Sequence, residues 1–157
     1  MIDERRSLLA PDVPRWPEDR PALVLSGVQK AFGNDPVLRG LDLEAPTGKT
    51  TVVIGRSGSG KTVLLKIMAG LLRADGGEVK LFGEDLTTLD DVSRTRLLRR
   101  VGVVFQSYAL FDSMTVAQNV AFPLQNGTKL PPKDVAERVQ ELLDLLEIGH
   151  AADRMPS

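Results

Sequence analysis

With 157 residues, 42% hydrophobic and 26% charged, the chain is long enough for a packed core and has the balance of an ordinary globular domain. A formal net charge of -1 gives no positive excess to favour nucleic acid or anionic lipid, and the absence of cysteine excludes disulfides and thiolate metal sites. No apolar run approaches the roughly 20 residues of a membrane helix, and no signal-peptide core follows Met1-Ile2-Asp3-Glu4-Arg5-Arg6, so the expected compartment is cytosolic.

Residues 1–21 carry Pro11, Pro14, Pro17 and Pro21 among charges and read as an N-terminal extension. The composition favours a flexible tail over one pinned to the domain surface by its one aromatic, Trp16. Order is expected from Ala22, with a strand from there towards Phe32, a turn at Gly33-Asn34-Asp35, and a returning strand over Val37–Leu43. Thr50–Ile54 is short, β-branched and apolar, as a buried strand requires. Lys61–Leu72 is apolar nearly all round and predicts a buried helix, ended by Asp75-Gly76-Gly77. A strand over Glu78–Phe82, a helix over Asp90–Arg100 and a second buried strand over Val101–Phe105 follow. Two more helices are expected, Thr115–Leu124 stopped near Pro123, and Pro131–Ile148 with its apolar stripe and a stop at Gly149. Arg94, Arg96, Arg99 and Arg100 cluster at helical spacing and read as a solvated face.

Between the first apolar run and the helix after it lies Gly55-Arg56-Ser57-Gly58-Ser59-Gly60-Lys61-Thr62, a full G-x-x-x-x-G-K-[ST] sequence. Its glycines allow the backbone positive φ angles and close approach to phosphate oxygens. Successive N–H groups then form an anion nest, reinforced by the positive end of the following helix dipole. Lys61 is the cation for the β- and γ-phosphates, and Thr62 offers a hydroxyl to Mg²⁺. Four fixed positions recur by chance in on the order of one chain of this size in a hundred. The strand before and the helix after sharpen the signal.

Val103-Val104-Phe105-Gln106-Ser107, with Gln106 lying 45 residues after Lys61, resembles the Q-loop of ABC transporter ATPases. Phe32, in Lys30-Ala31-Phe32-Gly33, resembles the aromatic that stacks on adenine in the same family. The segments Lys61–Lys66, Leu110–Val116 and Asn119–Leu124 look like the ATP-binding subunit of Mla/Mce-type lipid transporters, which include toluene-tolerance proteins. Val63 replaces a threonine common in the wider family, and Tyr108 stands where that family suggests a smaller residue.

The resemblance implies an α/β P-loop NTPase fold, with a parallel core, a small antiparallel sheet (residues 22–44 and 78–82) and the start of a helical subdomain. The nucleotide-binding domain would span residues 22–157. It implies ATP and Mg²⁺ as cofactors, with Phe32, Gly55, Arg56, Ser57, Gly58, Ser59, Gly60, Lys61, Thr62 and Val63 around the nucleotide. Lys61 and Gln106 would act in catalysis, and Thr62 and Gln106 at the metal. The partners implied are a membrane permease reached through the loop after Gln106 and a second ATP-binding subunit, on the inner face of the cell membrane.

The family's signature L-S-G-G, Walker B strand, catalytic Glu and switch His all lie downstream of the Q-loop, and none is recognisable here. Leu25-Ser26-Gly27-Val28 mimics the signature but precedes the P-loop; Leu142–Glu147 has helical spacing; His150, the only His, reads as a surface residue. The expectation is a chain weakly stable alone, with buried strands left as bare edges, that binds nucleotide poorly and does not turn over. A non-catalytic nucleotide- or partner-binding protein remains the alternative. A GTPase is disfavoured because Asn126-Gly127-Thr128-Lys129 does not supply N-K-x-D, and a nucleic-acid role is disfavoured by charge.

Overall fold

The computed structural model describes residues 16–106, 110–128 and 130–156. Residues 1–15, most of the expected extension, lie outside these, as do Tyr108 and the rest of the 107–109 stretch. Two compact units emerge, one running to Val103 and the other beginning at Val104.

The first unit is built on a four-stranded antiparallel sheet of order β2-β1-β3-β4. β1 is Pro21–Phe32, β2 Asp35–Pro46, β3 Gly76–Leu81 and β4 Glu84–Asp85. The expected antiparallel part is thus formed, with β1 starting one residue earlier than Ala22 and β2 longer than Val37–Leu43. β1 is central, pairing with β2 from Pro21↔Pro46 to Phe32↔Asp35 and with β3 from Leu23↔Leu81 to Gln29↔Gly76. Leu23, Leu25, Val28 and Val79 are buried on one face, which also takes Leu64 and Ile67 of helix α1 (Lys61–Met68).

α1 is four residues shorter than its apolar run. Gly70, at φ 69°, ends it: its N–H bonds to the Ile67 carbonyl and the Leu71 N–H to that of Lys66, at 3.0 and 2.8 Å. The helix is not buried all round, since Leu65 is exposed and only Leu64 and Ile67 are fully covered. α2 (Asp91–Leu98) is capped by Asp90, whose carboxylate accepts from the Val92 and Ser93 N–H groups. Its arginines divide. Arg94 donates to the carbonyls of Leu86 and Gly70, and Arg100, just after the helix, lies 4.1 Å from the Phe82 ring. Only Arg96 and Arg99 form the solvated face expected of all four. Trp16 packs on the same Phe82, with ring centroids 5.8 Å apart, and donates to the Pro21 carbonyl. Trp16 itself thus contacts the domain, while residues 1–15 of the expected extension lie outside the described residues.

The two apolar runs expected as buried strands form no ladder. In Thr50–Ile54, Val52 is 72% and Ile54 88% exposed, and in Val101–Phe105, Val104 is 91% exposed. A parallel central strand needs neighbours on both edges to satisfy its backbone and cover both faces. Among the described residues every paired strand belongs to the antiparallel sheet.

The second unit holds α3 (Val116–Gly127) and α4 (Pro132–Leu145). Thr115 and Gln118 form a reciprocal capping box at the head of α3. α3 runs through Pro123 rather than stopping there, since one proline removes a single helical donor. Val135, Val139 and Leu143 of α4 are buried against Val116, Val120 and Leu124 of α3. Glu147, at φ 60°, rather than Gly149, takes the left-handed position after α4; its N–H bonds to the Asp144 carbonyl and the Ile148 N–H to that of Leu143. Leu142–Glu147 is thus a helix end with a wet side, and His150 is exposed, both as expected.

Candidate nucleotide-binding site

The loop Gly55–Gly60 leads directly into α1, which starts at Lys61. Ser59 N–H donates to the Arg56 carbonyl at 3.2 Å, closing a tight turn. Gly60 has φ 88°, and a Cβ there would lie 2.9 Å from Val37 Cγ1 and 3.3 Å from Leu38 Cδ2. Only glycine allows that backbone and that approach, so the head of α1 is seated against β2. No side chain caps α1; its first helical bond runs from the Leu64 N–H to the Gly60 carbonyl at 2.8 Å. The N–H groups of Lys61, Thr62 and Val63 therefore precede the helical ladder and stand as donors at the positive end of the dipole.

Lys61 turns back over this loop. Its ammonium donates to the carbonyls of Gly55 and Arg56 at 2.8 and 2.7 Å. Charge, uncapped donors and a loop exposed from Gly55 to Ser59 coincide within eight residues. This donor set fits a polyphosphate. Thr62 is exposed at the same end of α1. Among the described residues no three His, Asp or Glu side chains converge. A divalent cation here would be held by the Thr62 hydroxyl together with phosphate oxygens, as Mg²⁺ commonly is.

Phe32 closes β1, 52% exposed, with the Lys30 ammonium 5.6 Å from its ring centroid. β2 holds it on one side through the Phe32↔Asp35 pair. On the other side β3 has already ended, and Asp75 takes over. The Asp75 N–H donates to the Gln29 carbonyl at 2.9 Å, while its carboxylate accepts from the Lys30 ammonium at 2.6 Å and the Ala31 N–H at 2.7 Å. The Lys30 ammonium first, and then the Ala31 N–H, hold the Asp75 carboxyl below the usual carboxylate range. In the sequence Asp75 looks like a turn residue and nothing more; its partner Lys30 is 45 positions away.

Gln106 is exposed and lies in the second unit. In that unit Asn119 organises the segment before α3. Its side chain accepts from the Phe111 N–H at 2.8 Å and donates to the carbonyls of Phe111, Met114 and Thr115.

Residues 38–157 match the family model described as ABC transporter. The chain is 43% identical over 138 residues to the sulfate/thiosulfate import ATP-binding protein CysA of Methylococcus capsulatus, covering 86% of this chain and 38% of that protein. It is 36% identical to the spermidine/putrescine import ATP-binding protein PotA of Haemophilus influenzae, covering 90% of this chain and 36% of that one. The chain thus spans less than two fifths of the length of these relatives. Among solved structures it is similar to the dimeric ATP-binding cassette MJ0796 bound to ADP and Pi, with a TM-score of 0.74 and 28% identity over 85% of this chain and 61% of that one. The α/β fold of an ABC-type P-loop ATPase is thereby established, although the expected parallel strands are unpaired. The lipid-transporter branch expected from residues 61–66, 110–116 and 119–124 finds no counterpart in these relatives. The chain belongs to the ABC transporter family of ATP-binding proteins.

Proposed function

We propose that this chain supplies the phosphate-binding part of an ABC transporter ATP-binding subunit, working with ATP and Mg²⁺. The observation that carries this reading is the Gly55–Gly60 loop seated on β2, with uncapped donors at the head of α1 and the Lys61 ammonium folded back over the loop. The Lys61 ammonium and the N–H groups of Lys61, Thr62 and Val63 hold the phosphates, with the Gly55–Gly60 loop wrapped beside them. Thr62 contributes a hydroxyl to the cation, and Phe32 offers its exposed ring to the base. Gln106 is the second metal-side residue and the start of the segment that meets a membrane permease. A second ATP-binding subunit completes the partnership. No helix among the described residues is long and apolar enough to cross a membrane, which suits a subunit held at the inner membrane face by that permease.

Bound Mg²⁺–ATP supplies the phosphoryl group whose transfer energises such a transporter. This chain's own residues account for holding it, through the uncapped donors at the head of α1 and the Lys61 ammonium. Nucleotide binding is therefore the activity proposed for this chain by itself. The names of the two relatives favour import of a small solute, a sulfur oxyanion or a polyamine, over the lipid substrate suggested by residues 61–66, 110–116 and 119–124.

Isothermal titration with a non-hydrolysable ATP analogue and Mg²⁺ tests the reading. Lys61→Ala removes a charged donor and should weaken binding by roughly 1.5–3 kcal/mol, or ten- to a hundredfold. No binding by the unsubstituted chain, or equal binding by Lys61→Ala, contradicts it.

A further inference from the structure

We propose that Asp75 is a positioning residue for recognition of the base: it fixes the end of β1 so that the Phe32 ring is held at a set angle for stacking. The inference rests on the reading of Phe32 as the base platform. Three consecutive residues before that ring are bound by this one side chain and its own N–H. Gln29 gives a carbonyl, Lys30 an ammonium and Ala31 an N–H, at 2.9, 2.6 and 2.7 Å.

The need for such a residue follows from the sheet. The β1–β3 ladder ends at Gln29↔Gly76, three residues short of Phe32. Beyond that point β1 has β2 on one edge only, and a two-stranded ribbon end frays readily. Asp75 immediately precedes Gly76, the first residue of β3, and continues the edge with a carboxylate where the ladder has no further carbonyl. Its oxygens are charge-assisted acceptors, stronger than the backbone acceptors they replace. The same pair draws the Lys30 side chain in to 13% exposure, so that its ammonium lies over the Phe32 ring. A ring with a cation over it retains an open face for a base. Asp75 also follows α1 by only seven residues, tying the ring to the chain segment that leaves the phosphate-binding helix.

The test compares Mg²⁺ with a non-hydrolysable ATP analogue against Mg²⁺ with inorganic tripolyphosphate, by titration calorimetry on the whole chain. Asp75→Ala should weaken nucleotide binding about three- to tenfold, as for loss of one or two hydrogen bonds, with tripolyphosphate unchanged. Phe32→Ala should do the same, and the double variant should bind no more weakly than Phe32→Ala. Asp75→Asn, which keeps an acceptor for the Ala31 N–H but loses the charge on Lys30, should fall between, and it serves if Asp75→Ala does not fold by circular dichroism. Equal loss of nucleotide and tripolyphosphate would reduce Asp75 to a structural role and overturn the proposal, as would additive losses with Phe32→Ala. If Phe32→Ala weakens nucleotide binding and Asp75→Ala does not, the proposal fails and the base platform stands. If Phe32→Ala changes nothing, the platform itself is wrong and the proposal falls with it.

Discussion

β1 and the run from Thr50 to Ile54 have opposite fates, and not in the direction their strand propensities favour. In β1, Leu25 is 2% and Val28 0% exposed, with paired backbone on both edges. In the other run, Val52 and Ile54 point into solvent at 72% and 88% exposure, with no ladder. Thr50–Ile54 is β-branched at every position, whereas β1 has only Val24, Val28 and Phe32 of the strong β-formers among its twelve residues, so intrinsic preference does not decide the outcome. What separates them is the neighbour: β1 meets β2 through a tight turn and β3 on its other edge, whereas a parallel strand depends on distant segments to pair it. A β-rich sequence states a capacity for burial, and the fold grants it only where partners exist.

The comparison is broken most easily by truncating equivalent side chains. Leu25→Ala should destabilise the chain by about 2–5 kcal/mol, whereas Ile54→Ala should fall within about 0.5 kcal/mol, both by urea denaturation. Equal losses would mean that Ile54 is buried in solution. Gly70→Ala comes next. It would force a Cβ to within 2.5 Å of Leu98 Cδ2 at a φ of 69°, and about 1–3 kcal/mol of strain is expected in the same assay. Thr115→Ala, which removes half of the capping box of α3, should cost about 1 kcal/mol.

The smallest effect is a pH dependence. Asp90 is held below the ordinary carboxylate value, first by the Ser93 N–H and hydroxyl and then by the Val92 N–H. Asp75 is held down likewise, chiefly by Lys30. A lowered folded-state pKa stabilises above the unfolded value of 3.8 and loses that contribution as pH falls through the folded value. Stability should therefore be flat from neutral pH to about 5 and decline below about 4. Asp90→Asn should flatten part of that decline.

Much of the site was legible in the sequence because its chemistry is local. Gly55–Thr62 is contiguous, its glycines and lysine are contacts within eight residues, and the helix that follows is marked by its own apolar spacing. The antiparallel hairpin was legible for the same reason, since Gly33-Asn34-Asp35 signals the turn between β1 and β2. Asp75 was not, because its partners come from β1 and sequence shows only a turn before two glycines. The ends of the helices were read less well than their existence. Gly149 looked the natural stop for α4, yet Glu147 accepts the left-handed backbone because two closing hydrogen bonds and the burial of Ile148 offset its strain. The lipid branch, expected from residues 61–66, 110–116 and 119–124, is not supported by the relatives, because those segments form helix starts and helix packing, which do not report the transported solute.

The most direct test of the central claim is hydrogen–deuterium exchange of the chain with and without a non-hydrolysable ATP analogue and Mg²⁺. The account predicts slowed exchange on addition, concentrated at the amides of Lys61 to Val63, where the uncapped donors face the phosphates, with the amides of β1 and β3 already slow in both states. Unchanged exchange at residues 61–63 under saturating analogue, or protection confined to other segments, would contradict it.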